Sequence, residues 1–142
     1  IRSLGWPVFE RGREITIVMW IPIPVRDDHL VFLSAIPDLI HLTLDGGNTK
    51  ISDAGVAYLK KLTKLKVLSL ENTLVTEAGL VHLKAMSKLK VLNLKNTQVN
   101  DAGLEHLKGL TQLRHLYLKG SKVTDEGVKK LQQALPKCKI IR

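Results

Sequence analysis

One constraint dominates this chain: the residues Leu89–Gln112, LKVLNLKNTQVNDAGLEHLKGLTQ, restate the preceding LKVLSLENTLVTEAGLVHLKAMSK of Leu65–Lys88, and LRHLYLKGSKVTDEGV begins the pattern again at Leu113. A period of 24 residues with like residues in like slots is the signature of a repeat array, in which each unit covers the apolar face of the next. Within a unit, Leu89, Leu92 and Leu94 end in the two-residue alternation of a strand with one buried face, and Leu104, Leu107 and Leu110 then change to a spacing of three, which reads as helical. Ser52, Thr76, Asn100 and Thr124 stand where a helix N-cap is wanted, each followed by a carboxylate, Asp53, Glu77, Asp101 or Asp125, that suits the positive end of the helix dipole. Each unit is therefore strand, turn, helix. Gly55, Gly79, Gly103 and Gly127 recur early in the helices, although glycine costs up to ~1 kcal/mol there relative to alanine. Close approach of helix to strand is the expected reason. Thr49, Thr73, Thr97 and Ser121 form a column after the strands, with hydroxyls expected to bond backbone groups at the bend.

Applied along the whole chain, the same period recovers five units. Residues 1–142 read as a single domain: an N-terminal cap at 1–14, a divergent first repeat at 15–38, regular repeats at 39–64, 65–88, 89–112 and 113–136, and a closing strand at 137–142 with Cys138 and Ile141 inward. The second unit carries two extra residues around Gly46–Gly47. In the first unit Ile15, Val18 and Trp20 fall on the slots of Leu39, Leu42 and Leu44, so the apolar run Ile15–Val25 is a strand rather than a membrane segment. At 11 residues with two prolines it is too short and too broken to span a bilayer as a helix. Equivalent strands must lie side by side and parallel, with the helices on the other side. The predicted fold is an α/β solenoid, an arc or horseshoe with a parallel sheet on its concave face and helices on its convex face.

The pattern LxxLxLxxTxVTDAGLxHLxxL resembles the leucine-rich repeat family, in particular the 24-residue variety abundant in planctomycete-type bacterial proteins and similar to the repeats associated with F-box substrate receptors. The resemblance covers roughly Ile15–Ile141. It implies a concave sheet that binds another protein, often beside a membrane anchor or another domain in the same polypeptide. The start at Ile1 without methionine is expected of a piece of such a larger bacterial protein.

The alternation nominates the concave side chains. They are Ile17, Met19 and Ile21; His41, Thr43 and Asp45; Val67, Ser69 and Glu71; Val91, Asn93 and Lys95; and His115, Tyr117 and Lys119. The strip is apolar at the first unit, acidic in the middle and basic at the end. Ile17, Met19 and Ile21 are exposed contacts for a partner or a weak homodimer unless Arg2–Glu14 folds over them. The charge is uneven along the chain: net −2 over residues 1–58 and +11 over residues 59–142. Lys66, Lys90 and Arg114 share one slot at the strand starts and form a basic edge suited to an acidic partner, to nucleic acid or to an anionic surface. Aromatic residues make up only 4% of the chain, too few for base-stacking platforms, which weighs against nucleic acid.

No catalytic constellation survives the repeat register. His41 and His115 share a column three units apart, roughly 15 Å by strand spacing. His82 and His106 occupy a slot that also accepts Tyr58 and Lys130, as a solvated helix surface does. Asp45-Gly46-Gly47-Asn48 is neither GxGxxG nor a P-loop. The single cysteine, Cys138, provides neither a disulfide nor a CxxC metal site. The expectation is a protein–protein interaction module, monomeric or weakly dimeric, with no enzymatic activity, metal or cofactor.

Overall fold

In the computed structural model, residues 8–11, 14–18, 25–45 and 49–142 are described, the first two stretches as backbone. Their seven strands form one sheet in sequence order: β1 (Val8–Arg11), β2 (Glu14–Val18), β3 (Leu39–Thr43), β4 (Val67–Ser69), β5 (Val91–Asn93), β6 (His115–Tyr117) and β7 (Lys139–Ile141). β1 runs antiparallel to β2, and every later pairing is parallel. Parallel neighbours require a crossover, and each crossover here is the helical half of a repeat. Val67, Val91, His115 and Lys139 sit side by side at steps of 24 residues, whereas His41 precedes Val67 by 26. Gly46 and Gly47, which account for that longer step, lie outside the described residues.

The helices are shorter than the pattern suggested. α1 (Asp53–Tyr58), α2 (Glu77–Leu80) and α3 (Asp101–Leu104) each pass into one 3₁₀ turn, and the first unit has a 3₁₀ segment at Asp27–Ala35 in place of an α-helix. Apolar residues at a strict spacing of three, as in Leu80, Leu83 and Met86, lie on one face of a helix with three residues per turn. Only the last unit spaces them three and then four, at Val128, Leu131 and Leu135, and only there is the helix a longer one, α4 (Asp125–Ala134). A strand occupies ~4.8 Å of the stack and an α-helix ~10 Å, which sets the sheet on the inner side of the arc. The leucines of both halves meet between these layers, with Leu89, Leu92, Leu94, Leu107 and Leu110 fully buried.

The repeating glycines answer to a different neighbour from the one expected. The carboxylate that opens one helix reaches forward to the cap of the next unit. Asp53 Oδ1 accepts from the Thr76 backbone N–H at 2.8 Å and Asp53 Oδ2 from the Thr76 hydroxyl at 2.7 Å. The Thr76 hydroxyl in turn accepts from Ala78 N–H, as an N-cap should. The same pair of bonds joins Asp27 to Ser52 and Asp101 to Thr124, and the Thr124 bonds hold the Asp101 carboxyl below its usual range. A β-carbon on Gly79 would stand 2.5 Å from Asp53 Oδ1, and Asp27 and Asp101 crowd Gly55 and Gly127 likewise. Close approach is thus to the preceding unit's carboxylate, not to a strand. Where that carboxylate is Glu77, the bond to Asn100 is absent, and Gly103 faces Leu80, Val99 and the Glu77 backbone instead.

The turns after β4, β5 and β6 each need a left-handed residue, at Asn72 (φ 59°), Asn96 (φ 54°) and Gly120 (φ 76°). Asn96 Nδ2 donates to Asn72 Oδ1 at 2.9 Å, extending the column between units. Next to it, the hydroxyls of Thr73, Thr97 and Ser121 donate to the carbonyls of Leu70, Leu94 and Leu118, the structural role expected of them.

Both ends of the sheet depart from the sequence reading. The pairing of β2 with β3 slips between Ile15 and Thr16, so Thr16 lies beside His41, Ile17 beside Leu42 and Val18 beside Thr43. In register, Ile17 is therefore the partner of a leucine position and Val18 of a position in the concave column, where the period alone pairs Ile17 with His41 and Val18 with Leu42. The cause is β1: a regular antiparallel ladder from Val8–Ile17 to Arg11–Glu14 keeps β2 in strict alternation and leaves no room for the irregular first step of the other units. At the far end Ile140 pairs with Leu116 and packs on the core, while Ile141 pairs with Tyr117, so Ile140 rather than Ile141 points inward. The extra residue near Ala134 is absorbed before β7 begins. Cys138 N–H still donates to Leu135 as Leu113 N–H does to Leu110, and Cys138 is buried as expected.

Candidate functional site

Opposite the helices, strand register assembles three columns of side chains. His41, Val67, Val91, His115 and Lys139 form the first, and Thr43, Ser69, Asn93, Tyr117 and Ile141 the second. Asp45, Glu71, Lys95 and Lys119, each two residues past the second column, form the third. Lys139 and Ile141 were missed by the sequence reading, which carried the extra residue of the last helix into the strand; a plain step of 24 from His115 and Tyr117 finds them. Met19 and Ile21 lie outside the described residues, and Ile17 pairs in register with Leu42 rather than with His41.

The columns are tied diagonally, each post-strand residue to the next strand. Ser69 Oγ donates to Asp45 Oδ1 at 2.5 Å, Asn93 Nδ2 donates to Glu71 Oε2 at 2.8 Å, and Lys95 Nζ lies 5.2 Å from the centroid of the Tyr117 ring, a cation–π contact. Both carboxylates are thus held by neutral donors, and no lysine or arginine forms an ion pair with either among the described residues. Burial pushes the Asp45 carboxyl above its usual range, opposed by the Ser69 bond and reinforced by the nearby Glu71 charge. The acidic middle of the strip is a pair of fixed acceptors. At the other end His115, Lys119 and Lys139 are exposed.

Along the edge where the strands begin, Lys90 N–H donates to Lys66 O and Arg114 N–H to Lys90 O, both at 2.8 Å, so Lys66, Lys90 and Arg114 do stack as neighbours. The Arg114 guanidinium is turned back onto the carbonyls of Thr111 and Leu113, at 3.0 and 3.1 Å, which draws it away from a common ridge. His41 and His115 are separated by β4 and β5, and no group of three or more metal-ligating side chains comes together among the described residues. No helix among them is long and apolar enough to cross a membrane.

This architecture, parallel strands recurring with the LxxLxL spacing and joined by short helices on one side, is an α/β leucine-rich-repeat solenoid. Residues 63–123 match the leucine-rich repeat family. Three solved bacterial structures are similar. A leucine-rich repeat protein of Leptospira interrogans is 24% identical with a TM-score of 0.61 over 79% of this chain and 27% of its own. Internalin C2 of Listeria monocytogenes is 27% identical with a TM-score of 0.61 over 76% of this chain and 44% of its own. A second internalin of that organism is 23% identical with a TM-score of 0.52 over 78% and 36%. The chain spans less than half the length of each. A search of curated protein sequences gave no significant match.

Proposed function

We propose that residues 1–142 form one non-enzymatic domain of a larger bacterial protein, of the 24-residue repeat variety, and that it binds another protein across the concave sheet. One observation carries this reading: between buried leucines, the open face presents varied side chains whose charge passes from Asp45 and Glu71, which form no ion pair among the described residues, to Lys95, Lys119 and Lys139. A fold needs no such gradient, because these side chains lie outside the core. The alternative is electrostatic binding of nucleic acid or an anionic surface through Lys66, Lys90 and Arg114. The turned-back guanidinium of Arg114 makes this the weaker reading.

The test uses the full-length parent protein, tagged in its native cells and recovered with its partners. Glu71→Lys with Lys119→Glu leaves the core untouched and is expected to abolish capture of a partner that the wild type retains. Lys66→Glu with Lys90→Glu is expected to leave it. The opposite pattern, with binding to a mixed nucleic-acid probe that falls steeply with salt, would transfer the function to the basic edge.

A further inference from the structure

The convex side carries a second surface that the concave reading does not use. Because Asp27 bonds Ser52 as Asp53 bonds Thr76, Asp27 and Asp53 are equivalent, and the helical slots of all five units can be aligned. One outward slot then holds Val31, Ala57, Val81, Glu105 and Lys129; the next holds Phe32, Tyr58, His82, His106 and Lys130. Large exposed hydrophobic residues are few among the described residues, and four of the five fall in these two slots: Val31 (42% exposed), Phe32 (49%), Tyr58 (40%) and Val81 (41%). All four belong to the first three units, whose helical segments pack in succession, the 3₁₀ segment Asp27–Ala35 on α1 and α1 on α2. In the fourth and fifth units the same slots are polar or charged, so the fold does not require apolar residues there. The patch is confined to neighbouring helical segments of the first three units.

A row of cations flanks it. Lys61 follows Tyr58 by three residues, Lys84 follows Val81 by three and Lys60 follows Ala57 by three, a spacing that sets each lysine on the same helical face as its apolar neighbour. All three lysines are exposed and, among the described residues, without an ion-pair partner, whereas Lys64, Lys108 and Lys130 pair with Asp38, Glu105 and Glu126. An apolar strip with unneutralised lysines on one flank is complementary to an amphipathic helix with acidic residues beside its apolar face. A second copy of this chain is a poorer match, since the same patch on it offers Lys60, Lys61 and Lys84 and not a carboxylate row to pair with them. An anionic bilayer fits poorly, because roughly half of each apolar side chain is already packed within the protein and little remains to insert.

We infer that the convex face of the first three units docks an acidic amphipathic helix of another protein, with its apolar side chains against Val31, Phe32, Tyr58 and Val81 and its carboxylates toward Lys60, Lys61 and Lys84. The probe is a labelled synthetic helix with leucines at i, i+3, i+4 and i+7 and glutamates along one flank, titrated into the full chain by fluorescence anisotropy; a matched helix with lysines for the glutamates is the control. The acidic helix is expected to bind, the basic one on the order of tenfold or more weaker. Phe32→Glu with Val81→Glu is expected to remove binding. Lys60→Glu with Lys84→Glu, which disturbs no packing, is expected to weaken the acidic helix and strengthen the basic one. Glu71→Lys on the concave face is expected to change nothing, so failure here and failure of the concave reading are distinguishable. Equal binding of the two helices, indifference to Lys60→Glu with Lys84→Glu, or co-sedimentation of the chain with phosphatidylserine vesicles that Phe32→Glu abolishes would each overturn the inference.

Discussion

Replacing Gly79 by alanine sets two effects of known size against each other. Helix propensity favours alanine by up to ~1 kcal/mol. Against it, the new β-carbon would lie 2.5 Å from Asp53 Oδ1 and 3.0 Å from Val75 Cγ1. The carboxylate is pinned by the Thr76 N–H and hydroxyl, so it gives way only by losing those bonds. Hydrogen bonds to a charged acceptor contribute ~1.5–3 kcal/mol each when buried, and less at this half-buried position. Losing both while gaining the propensity leaves Gly79→Ala less stable by about 2 kcal/mol. Asp53→Ala deletes the same bonds and a favourable first-turn charge without the propensity gain at position 79, at about 3 kcal/mol. The decisive measurement is the double-mutant cycle, by urea unfolding followed by circular dichroism. If both changes act on one contact, the double variant loses ~2–3 kcal/mol rather than the additive sum of ~5, a coupling of ~2–3 kcal/mol. Additive losses, or a Gly79→Ala protein as stable as wild type, would refute the claim that the glycine exists to admit the neighbouring carboxylate. Gly109→Ala is the reference, since a β-carbon there meets nothing within 4 Å.

The raised carboxyl of Asp45 makes a pH-dependent prediction. A folded-state value above the unfolded one favours the protonated form in the folded chain, so the stability linked to it is present below the unfolded value of about 4 and is lost as pH rises through the folded value. Asp45→Asn keeps an acceptor for Ser69 without the buried charge. It is expected to match the wild type near pH 3 and to exceed it at pH 7 in urea midpoint; a variant less stable at both would show that the charge is compensated. For Cys138, burial raises the thiol and Arg114 opposes this only in part, so alkylation by iodoacetamide at pH 8 is expected to be slow in the native chain and rapid in urea. Equal rates would mean that the closing strand opens freely.

The central units were legible because their information is local and repeated. Leu89, Leu92 and Leu94 announce the strand, Asn100 caps its helix, and the step of 24 fixes which residues become neighbours. What escaped was contact between units. Nothing within one repeat shows that Asp53 bonds Thr76 in the next, so the glycine was read against a strand instead of a carboxylate. The column of Asn72, Asn96 and Gly120 was readable, since two asparagines and a glycine in one slot mark a left-handed turn. The ends failed for a different reason. At β2 the partner is antiparallel β1, a neighbour no interior unit has, and the register follows that partner rather than the period.

That distinction also separates what holds the solenoid from what it offers. A slot that is leucine in every unit answers to the core, and a slot whose side chain bonds the next unit answers to stacking, as Asp27, Asp53 and Asp101 do. Slots that change character along the array are not fixed by the core, even where, as at Asp45 and Glu71, a side chain still bonds the next strand. Asp45 and Glu71 give way to Lys95 and Lys119 on one face, and Val31 and Val81 give way to Glu105 and Lys129 on the other. Since each unit is packed by its immediate neighbours alone, the exposed members of these slots, Val31, Val81, Glu105, Lys119 and Lys129, are not dictated by stability. The two gradients run along different faces and change between the same third and fourth units. A single rigid array therefore presents two chemically distinct surfaces, and a substitution on one leaves the other intact.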